Sequence, residues 1–143
     1  MQTKTKCGLA AVLLGLVIAT PIRAETIHFV AHMTPGQEVP PAKGKGMGEA
    51  RMLFDTSNDQ LSWVVEYKNL SGPVTAGHFH GPAMRGEKAG VAVGFKGNMD
   101  NPIQGSAMLS PMQVSELFGG KWYVNLHTAM YPAGEIRGQV EQR

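Results

Sequence analysis

The sequence predicts an all-β protein, an antiparallel sandwich or barrel carrying one short helix. Segments of strand length recur with turn residues between them, apolar and polar side chains alternate within those segments, and long helical periodicity is absent. An alternating pattern suits a sheet with one face on a core and the other outside it.

The first strand runs from Thr26 to Met33, with Ile27, Phe29, Ala31 and Met33 on one face and His28, Val30 and His32 on the other. Pro35 to Lys45, rich in Pro and Gly, is an irregular connection. Glu49 to Asp55 directs Ala50, Met52 and Phe54 inward, and Gln60 to Leu70 directs Leu61, Trp63, Val65 and Tyr67 inward. Thr56-Ser57-Asn58-Asp59 between them has turn chemistry, so the two strands form a hairpin. Val74 to His80 follows, and a loop from Gly81 to Ala89 leads to Gly90 to Lys96, where Val91, Val93 and Phe95 alternate with smaller residues. Ser110-Pro111 starts the short helix, with Ser as N-cap and Pro at the first helical position, and Gly119-Gly120 ends it. Lys121 to His127 is a strand. The turn Tyr131-Pro132-Ala133-Gly134 joins it to a last strand, Glu135 to Glu141, with Ile136 and Val140 inward.

Residues 1–24 read as a secretory signal: Lys4 and Lys6 precede an apolar run from Gly8 to Thr20, and Pro21-Ile22-Arg23-Ala24 is a cleavage region. The run is short for a membrane span. Residues 25–143 then form one domain, periplasmic or secreted. Cys7, the one cysteine, leaves with the signal, so no disulfide supports the mature chain. Lys4, Lys6 and Arg23 leave too, and ten basic residues then face eleven acidic ones. No basic footprint for nucleic acid remains.

The chemistry concentrates in His78-Phe79-His80-Gly81-Pro82. Strand alternation puts His78 and His80 on one face about 7 Å apart. His127 ends a second strand. Three imidazoles with an open fourth position suit copper or zinc, with copper ahead by affinity order. The competing reading is that these histidines hydrogen-bond loop backbone and bind no metal. Lesser candidates surround them. His28 and His32 lie about 13 Å apart along one strand, too far to chelate as a pair. Met84 and Met130 follow His80 and His127 with soft sulfur, and Glu38 is either a buried acid holding loop backbone or a ligand. Glu135 and Arg137 share a face of the last strand and read as an ion pair tying the final hairpin, with a role behind His127 as the alternative. No Ser-His-Asp order, phosphate loop or CxxC pair occurs.

Glu38-Val39-Pro40-Pro41, Gly77-His78-Phe79-His80-Gly81-Pro82-Ala83, Val124-Asn125-Leu126-His127-Thr128 and Pro132-Ala133-Gly134-Glu135-Ile136-Arg137-Gly138-Gln139 follow one another along the chain. Together they resemble the CHRD domain, named from chordin and found alone in exported bacterial proteins. The resemblance covers nearly all of residues 25–143 and implies a Greek-key or immunoglobulin-like sandwich. A fainter likeness is to copper/zinc superoxide dismutase, whose copper site uses an HxH strand; the cysteine pair and long metal-binding loop of that enzyme are missing. The expected function is copper binding or buffering by the histidine cluster. A non-enzymatic structural or protein-interaction module is the alternative, and a copper redox enzyme a third reading.

Overall fold

The computed structural model describes residues 25–143 and shows two antiparallel sheets packed face to face. The signal sequence expected in residues 1–24 lies outside the described residues. Strands β1 (Thr26–Met33), β2 (Met47–Asp55) and β3 (Gln60–Lys68) form a meander. The chain then crosses to the second sheet as β4 (Val74–His80) and β5 (Val91–Gly94), and returns beside β3 as β6 (Ile103–Met108). Helix α1 (Pro111–Phe118) leads back to β7 (Tyr123–Thr128) and β8 (Ile136–Gln139), and β9 (Glu141–Gln142) closes beside β1. The sheet orders are β6-β3-β2-β1-β9 and β5-β4-β7-β8. Strand β9 lies next to β1, at the edge of the first sheet opposite β6.

The inward positions interlock between the sheets. Phe29, Met33, Met52, Phe54, Leu61, Trp63 and Val65 of the first sheet meet Phe79, Val124, Leu126 and Ile136 of the second. Phe79 is fully buried, edge-on to Trp63 at 5.2 Å and near-parallel to Trp122 at 5.9 Å, so Phe79→Ala would cost about 3–5 kcal/mol. Helix α1 caps the core through Leu117 and through Phe118, which meets Phe29 and Phe54 edge-on. Its start is the expected one: Ser110 Oγ accepts from the Gln113 N–H while the Gln113 side chain accepts from the Ser110 N–H.

Two elements differ from the sequence expectation. Ile103–Met108 forms a strand that apolar alternation did not signal. The last strand is two strands, with Val140 buried at the point where the chain leaves one sheet for the other. Among the described residues no helix is long and apolar enough to cross a membrane.

Candidate functional site

Cross-strand register assembles a polar patch on the outer face of the four-stranded sheet. His78 pairs with Asn125, which pairs with Arg137; His80 pairs with Tyr123, which pairs with Gln139. These are the alternate positions to Phe79, Val124 and Leu126, so the alternation that fills the core also builds the patch. His127 stands opposite Ala76, continuing the register that pairs His78 with Asn125, and the register shift between Val74 and Ala76 lies beyond it. The patch is covered rather than solvated: Asn125, Arg137 and Gln139 are buried and the three histidines partly so.

The three imidazoles converge. One ring nitrogen of each of His78, His80 and His127 lies within 4.8 Å of the others, a spacing that could hold one metal ion. His78 Nδ1 is 3.0 Å from His127 Nε2, and Asn125 Oδ1 is 3.0 Å from Nε2 of both His80 and His127. The outer nitrogens are committed elsewhere. His80 Nδ1 faces the Ala89 carbonyl at 3.1 Å, and His127 Nδ1 faces the Pro132 carbonyl at 2.9 Å.

That arrangement leaves a proton deficit. A neutral imidazole carries one N–H, yet His80 and His127 each have an acceptor at both nitrogens. Donation to the backbone carbonyls turns both Nε2 lone pairs toward the common centre. A backbone carbonyl fixing the outer N–H is also how metal-binding histidines are commonly oriented. Burial holds the pKa of His78 below the ordinary histidine value, reinforced by His127 and His80. Burial does the same for His80, against opposition from the Ala89 carbonyl and the Asn125 side chain. Both shifts favour the neutral ring that a metal needs.

The supports of the patch are specific. The His80 ring lies parallel to Tyr123 at 4.8 Å, the Arg137 guanidinium sits 3.5 Å from the centre of the Tyr123 ring, and the Tyr123 hydroxyl reaches Ala89. Gln139 donates to the carbonyls of Ala83 and Gly120, tying down the loop after His80. Gly81 must be glycine, since a Cβ there would lie 2.3 Å from the Trp122 ring.

The lesser candidates separate from the triad. His28 and His32 sit on β1 in the other sheet, exposed, with His32 Nδ1 3.3 Å from Glu49 of β2. Met84 and Met130 are exposed loop residues, Met130 on the wall of a groove that also includes Glu38 and Lys88. Glu38 is buried beside Asn125, and burial pushes its pKa up to about 7 despite the nearby Arg137, Asn125 and Lys88. The Asn125 amide stands close enough to oppose that rise without closing a hydrogen bond of standard geometry to Glu38 Oε1.

Glu135 and Arg137 do not form the expected ion pair. Glu135 accepts from the Ser71 N–H, the Ser71 hydroxyl and the Thr128 hydroxyl at 2.6–2.8 Å, whereas Arg137 stacks on Tyr123. Both are almost fully buried, because the segments flanking β8 cover what alternation alone presents as an outside face. Asn125 and Tyr123 were missed as members of the patch, although the spacing Tyr-Val-Asn-Leu-His puts them on the face of His127.

No curated protein and no solved structure matches the chain significantly. The family model described as the CHRD domain matches residues 29–140, from β1 to the residue after β8. Its span takes in both sheets and every residue of the histidine patch, and the chain belongs to the CHRD domain family.

Proposed function

We propose that this protein is an exported, periplasmic or secreted, copper-binding protein that buffers or carries the ion through His78, His80 and His127. The observation behind this reading is the convergence of three ring nitrogens within 4.8 Å, two of them turned inward by backbone carbonyls on the opposite ring edge. Bound there, the ion would supply the positive charge that the surrounding lone pairs lack. Imidazole suits zinc as well, and copper takes precedence by the affinity order of divalent ions. Titration of the purified protein with copper and zinc in turn, followed by elemental analysis after desalting, tests the reading. One copper retained per chain, displacing zinc, is expected; retention of neither ion overturns it.

A second reading has its own observation. The bonds from His80 to Ala89 and from His127 to Pro132 also pin two loops, as structural histidines of an interaction module would. On that reading, His80→Gln and His127→Gln lower the melting temperature and no metal raises it. On the metal reading, copper raises the melting temperature of the unsubstituted protein and not of these variants. Superoxide turnover by the copper-loaded protein above that of free copper would be needed before any enzymatic role.

A further inference from the structure

We propose that Glu38 and Asn125 are positioning residues for the three-histidine pocket, Glu38 fixing the Asn125 carboxamide so that its oxygen, not its N–H donors, faces the rings. The inference rests on the metal-binding reading. It begins with a choice that every asparagine has: its two ends are nearly equal in shape and opposite in hydrogen-bonding sense. At Asn125 the choice decides the pocket. With Oδ1 inward, the His80 and His127 Nε2 lone pairs both face an oxygen that cannot donate to them, and a cation satisfies all of these atoms together. With Nδ2 inward, N–H groups would donate to those same lone pairs and occupy the atoms a metal needs.

Three features hold the first orientation. Asn125 is buried at 3% exposure and paired on both sides, with His78 and Arg137, so its backbone cannot shift to compensate. Its Nδ2 lies on the side of Gly134, where a Cβ would stand 2.8 Å from Nδ2 and 2.4 Å from Glu38 Oε1. Glu38 therefore presents a carboxyl group to the amide end of Asn125, at 7% exposure and with no hydrogen-bond partner of standard geometry on Oε1. Reversing the amide would set its oxygen against the Glu38 carboxylate in a buried place, a repulsion wherever Glu38 is ionised. The intervening amide also keeps the carboxylate from pairing directly with an imidazolium, which would favour protonated, non-binding rings.

Copper affinity at fixed neutral pH, measured by competition with a chromophoric chelator on the full-length protein, separates positioning from simple packing. Glu38→Leu keeps bulk and loses the acceptor, and should weaken binding about 10–100-fold. Glu38→Gln offers an amide oxygen to the same N–H and should stay within about threefold of the unsubstituted protein. Equal affinity for Glu38→Leu and the unsubstituted protein, or an equal loss in both variants, overturns the assignment. A second measurement needs neither variant nor metal. In the metal-free protein, Asn125 side-chain amide protons should give nuclear Overhauser effects to the Gly134 α-protons. Effects to the His80 and His127 ring protons in their place overturn the proposal, whether or not copper binds. Absence of copper binding by the unsubstituted protein, with the amide oriented as expected, removes the metal reading and leaves the orientation standing.

Discussion

His78 Nδ1 and His127 Nε2 approach to 3.0 Å across neighbouring strands, although His78 is paired with Asn125 and His127 with Ala76. The diagonal approach follows from the unbroken register over His78–Asn125, Gly77–Leu126 and Ala76–His127, and it makes the two rings one unit with His80. Replacing any of the three with Ala should lower copper affinity by more than the about 10–100-fold expected for an outer-sphere partner. His28→Ala and His32→Ala, on the other sheet, should leave it unchanged. Isothermal titration of the five variants checks this, and equal losses at all five positions would exclude the triad.

Acid should release the ion, at a pH below that expected for free imidazole. Burial depresses the pKa of both His78 and His80, so their rings stay neutral and available below the ordinary value of about 6.5. The same shifts act on the metal-free fold. Unfolded histidines bind protons more readily than these, so their contribution to stability is present above about pH 6.5 and is lost as pH falls through the depressed folded values. Copper retention measured across a pH series should therefore extend below about 6.5 before it declines. Undiminished binding at about pH 4 would mean ligands other than imidazole.

Glu38 has the opposite sign. Its pKa rises from 4.5 to about 7, so the folded chain holds a proton that the unfolded chain releases. Its contribution is present below pH 4.5 and is lost as pH rises through about 7. Glu38→Gln removes the charge that burial opposes and should raise the melting temperature at pH 8, with the difference from the unsubstituted protein disappearing near pH 4. A constant difference at both pH values would show that ionisation of Glu38 is not its source.

Much of this architecture is legible in the chain, and the exceptions have physical causes. The limits of β1 and β4 coincide with their apolar alternation, and the capping box and diglycine mark both ends of α1. Strand β6 is hidden because its inward positions after Ile103 are Gly105 and Ala107: the Trp63 ring fills the space, and a Cβ on Gly105 would lie 2.5 Å from it. The histidine set follows from period-two spacing plus the motif order. The burial of Asn125 and Arg137 does not, since it depends on loops distant in sequence folding over the outer face. A polar residue in an alternating strand reads as solvent-facing until its cover is known.

Gly134 links the turn before β8 to the site. Its φ of +128° is a conformation that side chains resist, and a Cβ would collide with both Glu38 and Asn125. Gly134→Ala should destabilise the protein by about 1–3 kcal/mol, and the displaced Asn125 should lower copper affinity as well. Denaturant unfolding and copper competition on the same sample check both effects; a stable variant with full affinity would show that the turn relaxes freely.

Glu135 provides the sharpest contrast between an exposed pair and a buried network. An exposed ion pair with Arg137 would contribute about 0–1 kcal/mol. The observed carboxylate instead accepts from one backbone N–H and two hydroxyls at 1% exposure, and these join the connection before β4 to the end of β7. Hydrogen bonds to a charged group contribute about 1.5–3 kcal/mol each, and a donor left buried without an acceptor adds its own cost. Glu135→Ala should therefore destabilise the fold by at least about 3 kcal/mol. Its carboxylate is engaged by Ser71 and Thr128, so copper affinity of the variant that remains folded should be close to normal. A loss of about 1 kcal/mol or less would return Glu135 to the surface-pair account. A large affinity loss with normal melting would instead place it behind His127.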